Sequence, residues 1–347
     1  MDYEQHKASF EYDSYAEVGF WKRYLEAAGA YQVMECYIDY ESLQRKWALE
    51  HKVSLSSQWV KDILNAQIES FAPDVIFEDD ATHLDPAWRS MVRSRFPSVR
   101  RFVAWDGYIK SDISRFDGCE LVLTCVEGIR QRYLNRGARC EILPFGFESG
   151  ILGRLPDMNR YQTTFVGNII PEIHTYRLRA LSQIMKSGPL DVWISNFSNQ
   201  LSHWKRRANY FRQASPGDWS KIRGLEKASH GEAFGLTMYG IFHHSGVTIN
   251  IHGDGVAQAG NMRLIETCGS GACLLTDDKP NIRDYFEPDE EIVVFKSIAE
   301  AVDKIRNLSR DTALRDRIAR KGQDKVNARF SFRDRVARFE AFLAEVL

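Results

Sequence analysis

The feature that most constrains the fold is a repeated alternation of short apolar runs with longer amphipathic stretches. In the first part of the chain, apolar runs predict strands at residues 7–10, 31–38, 75–77, 101–105, 121–124 and 140–143. Helical periodicity predicts helices at residues 20–28, 57–71, 86–95 and 127–136. Strands that alternate with helices indicate a parallel sheet covered by helices on both faces.

The alternation lapses between residues 144 and 159, where glycine, proline and polar residues predict a linker. It then restarts, with strands at 163–166, 190–194, 248–251, 272–276 and 292–295, helices at 177–185 and 261–268, and a helical tail from residue 298 that is interrupted near Gly322. We predict two α/β domains, 1–147 and 148–324, and a segment 325–347 that returns to the first domain as a helix. Such domains bind ligands in a cleft, beyond the carboxyl ends of their strands.

Composition excludes several other classes of protein. Of the 347 residues, 44% are apolar and 27% are charged, which is typical of globular chains and not of disordered ones. The net charge of -1 argues against a nucleic-acid-binding protein. No apolar run approaches the roughly 18 residues of a membrane span, and the acidic start of the chain lacks a signal core. Six cysteines without a C-x-x-C pair favour a reducing compartment, so we expect a cytoplasmic protein.

The segment from residue 248 to 275 carries the clearest chemistry. It predicts a strand, a glycine-rich loop, a short helix, a glycine turn and a second strand. Gly260 lets the backbone approach a ligand closely, and the helix that starts at Asn261 and Met262 offers free N–H groups at its positive dipole end, which suits a diphosphate. Glu266, further along this helix, could accept hydrogen bonds from ribose hydroxyls. The alternative is a plain βαβ connection with a tight turn.

These residues belong to a larger pattern that resembles the GT-B glycosyltransferases, especially the group of spore-maturation-like proteins with a "glycosyl transferases group 1" C-terminal domain. The resemblance covers about residues 143–340 well and the first 140 residues loosely. Its stretches are, in order, residues 143–148, Phe165-Val166-Gly167-Asn168 followed by Arg177, residues 245–250, residues 263–269, and a tail with residues 284–286, 290–292, 318–322 and Arg335.

The resemblance implies a GT-B fold, with two Rossmann-like domains facing a central cleft, and a nucleotide-diphosphate sugar bound mainly to the C-terminal domain. The donor-binding residues that it implies are Glu266 for the ribose, Gly167, Asn168, Gly260, Asn261 and Met262 for the diphosphate, Arg177 and Arg263 for its charge, and Asn250 and His252 at the mouth of the loop. Many relatives carry a glutamate eight positions before the ribose glutamate, where this chain has Gln258. Gln258 can still bond a sugar hydroxyl but carries no charge, which departs from the retaining members.

The N-terminal domain is expected to supply the acceptor site and a general base. Acidic residues follow three predicted strands: Asp13, the pair Asp79 and Asp80, and Asp106. An inverting transfer needs a base to take the proton of the acceptor hydroxyl. We rank Asp106 first and Asp13 second, because Asp106 resembles the family's aspartate after the corresponding strand. The alternative for each is a structural aspartate in a turn or an N-cap.

The remaining features concern metals and partners. The chain has no D-x-D motif, and its histidines lack a zinc-ligand pattern, so we expect no cofactor and no required divalent metal. Arg89, Arg93, Arg95, Arg100 and Arg101 predict a basic amphipathic helix, which either docks on lipid at the inner membrane face or is a solvated surface.

Together these features predict a metal-independent transferase that moves a sugar from a nucleotide-diphosphate donor, with UDP, GDP, dTDP and CDP as the candidate nucleotides, to an unidentified acceptor that is a glycan, a lipid-linked glycan, a protein or a small molecule. The rival functions are a nucleotide-sugar epimerase or hydrolase, and a catalytically silent binding protein of the same fold.

Overall fold

The computed structural model describes residues 1–27, 29–79, 84–107 and 112–347. The chain forms two compact units. Unit 1 comprises residues 1–144 and 332–347, and unit 2 comprises residues 145–331. In the described part of the chain, no helix is long and apolar enough to cross a membrane.

Unit 1 contains a parallel four-stranded sheet in the order β1-β2-β3-β4, formed by Val75–Glu78 (β1), Arg101–Trp105 (β2), Leu121–Thr124 (β3) and Cys140–Ile142 (β4). Its helices are Tyr3–Asp13 (α1), Phe20–Ala27 (α2), Glu41–Glu50 (α3), Trp59–Phe71 (α4), Pro86–Arg95 (α5), Glu127–Leu134 (α6) and the last helix of the chain, Phe332–Ala344 (α15). β3 is buried along its whole length, as expected for a strand covered on both faces. All four of these strands were predicted.

The first two predicted strands are wrong. Residues 7–10 lie in α1, because Asp2 and Gln5 form a capping box in which each side chain accepts a hydrogen bond from the other residue's amide, at 2.8 and 3.2 Å. An ion pair of 3.7 Å between Lys7 and Glu11 stabilises the next turn. Residues 31–38 are not helical, but they have no ladder partner among the described residues.

Unit 2 contains a parallel five-stranded sheet formed by Tyr161–Gly167 (β5), Asp191–Ile194 (β6), Ser245–Asn250 (β7), Cys273–Asp277 (β8) and Val293–Phe295 (β9). Its helices are Thr175–Ser187 (α7), Ser195–Leu201 (α8), Trp204–Gln213 (α9), Trp219–Ala228 (α10), Gly235–His243 (α11), Met262–Gly269 (α12), Ile298–Arg310 (α13) and Thr312–Arg329 (α14). All five predicted strands are confirmed. The interruption predicted near Gly322 is wrong, because α14 is continuous there and Gly322 packs closely against the Glu291 carbonyl.

The strand order of unit 2 is β6-β5-β7-β8-β9. The chain leaves β5 toward β6 on one side and later returns to place β7 on the other side. This reversal is a topological switch point, and in parallel α/β sheets ligands bind in the crevice outside the carboxyl ends of the two strands at such a point. The fold of unit 2 therefore directs attention to the residues that follow β5 and β7.

Candidate functional site

The predicted donor-binding residues follow these two strands or lie on the helices next to them. Gly167 ends β5 and Asn168 follows it, whereas Asn250 ends β7 and is followed by Ile251 and His252. All of them belong to unit 2. The structure thus brings residues that are distant in sequence to one edge of one sheet.

The first turn of α12 lacks a side-chain cap. Asn261 occupies the N-cap position, but its side chain makes no capping hydrogen bond. Its Nδ2 donates instead to Asn250 Oδ1 at 2.8 Å, and Asn250 Nδ2 donates to Thr276 Oγ1 at 3.0 Å. Gly260, with φ of 153°, turns the chain into the helix in a conformation that favours glycine. The amides of Met262 and Arg263 therefore point out of an uncapped, electropositive helix end, which is a favourable place for a phosphate.

Arg177 fixes the two strand ends. Its Nε donates to the Ile251 carbonyl at 2.9 Å, and its Nη1 donates to the Asn168 carbonyl at 2.8 Å. Burial lowers the pKa of Arg177 to about 10, with Arg263 nearby adding to the effect, so the guanidinium remains cationic at neutral pH. Arg177 is thus a positioning residue that also places a positive charge at the crevice; its predicted direct contact with the diphosphate stays a prediction.

Next to it, His174 is neutral. Burial and, as a second cause, the positive charge of Arg177 lower the pKa of His174 to about 3. Its Nδ1 accepts a hydrogen bond of 3.0 Å from the Ile170 amide. The neutral imidazole of His174 therefore stabilises the loop after β5 by accepting this backbone hydrogen bond.

Glu266 and Arg263 form an ion pair on one face of α12. Arg263 Nη1 donates to Glu266 Oε2 at 2.5 Å, and the Tyr239 hydroxyl donates to Glu266 Oε1 at 3.2 Å. Glu266 is only 3% exposed, so these contacts fix its orientation. A carboxylate has about four acceptor positions, which leaves capacity for ribose hydroxyls. Because Arg263 already shares its charge with Glu266, its capacity to neutralise a diphosphate is reduced.

His252 faces a carboxylate that the sequence analysis did not assign to the site. Its Nδ1 lies 2.8 Å from Asp277 Oδ1, which also accepts a 2.9 Å hydrogen bond from the His252 amide. Burial alone raises the pKa of the Asp277 carboxyl, but the hydrogen bonds from His252 and the Lys279 ammonium outweigh it and hold the pKa at about 2. The buried Nε2 of His252 has no hydrogen-bond partner among the described residues. An imidazole that is oriented through Nδ1 can use Nε2 to form a hydrogen bond with a ligand or to exchange a proton with it.

Asp254 and Asn281, also absent from the sequence prediction, hold the glycine-rich loop. Asp254 Oδ2 accepts from the Thr175 amide at 2.7 Å and thereby ties the loop to the first turn of α7. Asn281 Oδ1 accepts from the Ala259 amide at 2.7 Å, and its Nδ2 donates to the Ala259 carbonyl at 3.0 Å. The loop is therefore anchored on both sides of Gly255, which makes the position of the α12 N-terminus well defined.

The two predicted base candidates lie in unit 1. Asp106 follows β2 as expected, but it is only 1% exposed and its Oδ2 accepts a 2.9 Å hydrogen bond from the Tyr133 hydroxyl of α6. This contact supports a structural link between β2 and α6, and the catalytic role of Asp106 stays a prediction. Asp13 is the last residue of α1, so the expectation that it follows a strand is wrong. Asp79 follows β1, and Asp80 lies outside the described residues.

The predicted basic face of α5 is largely paired. Arg89 is 0% exposed, and its Nε and Nη2 donate to the two oxygens of Glu78 at 2.7 and 2.6 Å. Arg93 pairs with Glu120 at 2.5 Å. The expectation of a free cationic helix face is therefore wrong for these two residues, because one arginine is in the core and the other is neutralised.

Among the residues that the structure describes, no group of three or more His, Cys, Asp or Glu side chains could hold a metal ion. The six cysteines are free thiols.

Comparisons with known proteins agree with this architecture. Residues 178–341 match the model of the family described as "Glycosyl transferase-like". A comparison with curated proteins gives no match. This family match contains α12, the loop before it, and the Asp277 and His252 pair.

Solved structures resemble most of the chain. Sucrose-phosphate synthase from Thermosynechococcus elongatus has a TM-score of 0.59 at 11% identity, over 82% of this chain and 77% of that one. HepE from Anabaena, in complex with UDP and glucose, has a TM-score of 0.58 at 13% identity, over 82% and 81%. An α,α-trehalose 6-phosphate synthase from Burkholderia multivorans has a TM-score of 0.54 at 13% identity, over 83% and 76%. These likenesses identify the fold, and the chain has the GT-B fold.

Proposed function

We propose that this protein is a glycosyltransferase that takes its sugar from a nucleotide-diphosphate donor bound in unit 2. The observation that carries the proposal is the uncapped N-terminus of α12 at the switch point between β5 and β7, inside the region that matches the glycosyl transferase-like family. The proposal of UDP as the nucleotide is supported by the UDP bound to HepE, which has the same fold.

In this proposal the diphosphate lies against the amides of Met262 and Arg263. The α12 dipole and the cationic Arg177 compensate its charge, as backbone donors and arginine do at other phosphate sites. No divalent ion is then required. Glu266, which Arg263 and Tyr239 hold in place, accepts from the ribose hydroxyls.

His252 is proposed to contact the donor through Nε2. Asp277 binds the opposite ring nitrogen and so favours the tautomer with the proton on Nδ1, or the imidazolium when Nε2 is also protonated. The neutral ring can accept from a sugar hydroxyl, and the charged ring can donate to a phosphate oxygen. Either contact places the donor sugar near the loop that Asp254 and Asn281 anchor.

The test starts with a thermal-shift screen against UDP, GDP, dTDP and CDP, since a ligand of the folded state raises its apparent stability. Turnover of the matching nucleotide sugar is then measured with and without candidate glycan and lipid-linked acceptors, in excess EDTA. Release of nucleotide that depends on acceptor supports a transferase, and its persistence in EDTA supports metal independence. Turnover without acceptor supports an epimerase or hydrolase, and nucleotide binding without turnover supports a silent binding protein.

A further inference from the structure

A cavity of about 900 Å³ lies within unit 1. Its wall includes Trp21 and Leu25 of α2, Ile68 of α4, and Phe339 and Leu343 of α15. We call it the β1 cavity. The cavity is partly open to solvent, and clefts of this size with a mainly apolar lining are places where proteins commonly accommodate a further group.

The β1 cavity runs along the free edge of β1. The consecutive residues 75–79 all line it. Successive side chains of a strand point to opposite faces, so an unbroken run of lining residues means that the strand presents its edge. Among the described strands, β1 pairs only with β2. The peptide groups on its other edge therefore lack a ladder partner in the described structure.

A second run of chain also lines the cavity without interruption. Residues 30–40 line the cavity without a gap, and residues 31–38 have no ladder partner among the described residues. Both stretches therefore line this cavity without a ladder partner among the described residues, although the Val33 amide donates to Glu26 Oε1 at 3.1 Å and the Tyr37 carbonyl accepts from the Tyr40 amide at 3.0 Å. A β-strand that enters the cavity has both stretches as possible ladder neighbours.

Residues 7–13 are the occupant that the chain itself offers. In this segment Ala8, Phe10 and Tyr12 alternate with Lys7, Ser9 and Glu11, which is a strand periodicity. As a helix, α1 buries only Tyr3 and Lys7 and has no continuous apolar stripe. Phe10 already borders the cavity, as do residues 15–18. The segment is therefore adjacent to the space that it would fill.

The helical form of this segment is followed by strained backbone. Ser14, Ala16 and Glu17 have φ values of 57°, 48° and 69°, in the left-handed region that costs free energy for residues other than glycine. Three such residues within four positions are unusual. A different path of the chain between α1 and α2 would relieve this strain.

The topology of unit 2 shows what the filled sheet looks like. There the first strand, β5, lies between the second and third strands, β6 and β7. Insertion of residues 7–13 between residues 31–38 and β1 gives unit 1 the same arrangement, with its first strand in the centre. α2 then becomes the crossover helix of a βαβ unit, ended by Gly29 with φ of 76°.

We propose that residues 7–13 exchange between the helix α1 and a central β-strand that fills the β1 cavity. In the strand form, Asp13 lies at the carboxyl end of a strand at a switch point, where a ligand site of an α/β sheet is expected. A catalytic use of Asp13 rests on the proposed glycosyl transfer. The conformational exchange itself does not depend on that function.

The test measures amide hydrogen exchange by mass spectrometry, without nucleotide, in two variants at the exposed Ser9. Ser9→Val favours a strand and Ser9→Ala favours a helix, and the summed propensities shift the ratio of the two forms by about tenfold. We expect peptides that cover residues 31–38 and 74–79 to exchange more slowly in Ser9→Val than in Ser9→Ala, by up to about tenfold, a limit that is reached when the strand form predominates. Ser9→Thr serves as a second strand-favouring variant should the valine impair folding.

Ser90→Val and Ser90→Ala, at an exposed position of α5, form the matched control pair. These two variants should have the same amide exchange rates in the peptides that cover residues 31–38 and 74–79. Equal exchange of these peptides in the Ser9 variants overturns the proposal. The proposal is also overturned if amide exchange of these peptides slows only when 1-octanol is added and does not depend on the residue at position 9. That result would assign the cavity to a small apolar ligand. Because UDP binding to unit 2 is measured on the same samples, failure of the donor site is recognised separately.

Discussion

Exchange of Glu266 for glutamine separates ribose recognition from the other functions of α12. Glu266→Gln keeps the size of the side chain and removes its charge. A hydrogen bond to a charged group contributes about 1.5–3 kcal/mol, so a ribonucleoside diphosphate should bind about 10- to 150-fold more weakly. The change also frees Arg263, whose 2.5 Å bond to Glu266 is then weakened, and a freed arginine attracts the diphosphate. Affinity for one ligand therefore mixes two opposite effects.

A second ligand separates the loss of the ribose hydrogen bonds from the effect of the freed Arg263. The 2′,3′-dideoxy form of the same nucleotide carries the diphosphate but not the hydroxyls that Glu266 is proposed to bind. Calorimetry on both ligands should give a loss of about 1.5–3 kcal/mol that is specific to the ribonucleotide. The control is Glu226→Gln in α10, where the carboxylate bonds Arg207 at 2.8 Å away from the glycine-rich loop. An equal change for both ligands in Glu266→Gln would show that Glu266 does not bind the ribose.

Three further predictions concern charges in the two units. The folded pKa of Asp277, about 2, lies below its ordinary value of 3.8, so this carboxylate contributes about 2 kcal/mol of stability above pH 4 that is lost as the pH falls towards 2. In urea unfolding, the stability difference between wild type and Asp277→Asn should shrink over that range, and a pH-independent difference contradicts the assignment. Arg89→Met leaves Glu78 buried without its cation and should cost about 3–5 kcal/mol, most of it recovered in the double variant with Glu78→Gln; no recovery would mean that packing, not charge, causes the loss. Asp106→Asn should slow turnover about a hundredfold if Asp106 is the general base; if it and Tyr133→Phe lower stability alike at normal turnover, Asp106 has only a structural role.

The fold of unit 2 was predictable because its strands are buried apolar runs separated by helices and glycine turns. The start of unit 1 was not. Residues 7–10 form a short, mixed run that fits either period, and the capping box at Asp2 with the Lys7–Glu11 pair selects the helix. Gly322 predicts an interruption of the last helical segment, but this glycine is tolerated inside α14, where the Glu291 carbonyl leaves no space for a side chain.

The donor-site prediction relied mainly on residues 248–275, and most of the residues that it omitted lie outside that segment, whereas Asp254 lies within it. The register of β7 and β8 pairs Asn250 with Thr276, and this pairing brings His252 next to Asp277. Asp277 directly follows the predicted strand at residues 272–276, so the strand-end argument that predicts Asp106 in unit 1 also applies to Asp277. His174 and Asn281 act through backbone contacts in folded loops, which no spacing in the sequence reveals.

The prediction that Arg89 lies on an exposed basic face is wrong for a related reason. Helical periodicity identifies a basic face of α5, but it does not show that Glu78 of β1 lies opposite Arg89 in the core. A buried arginine requires a partner that only the tertiary structure supplies.

A crystal structure of the protein with the nucleoside diphosphate selected by the thermal-shift screen tests the central claim most directly. We expect the diphosphate within hydrogen-bond distance of the Met262 and Arg263 amides, with the ribose hydroxyls on Glu266 and His252 Nε2 in contact with the ligand. A nucleotide bound away from the carboxyl ends of β5 and β7, with these amides unoccupied, would contradict the donor site that we propose.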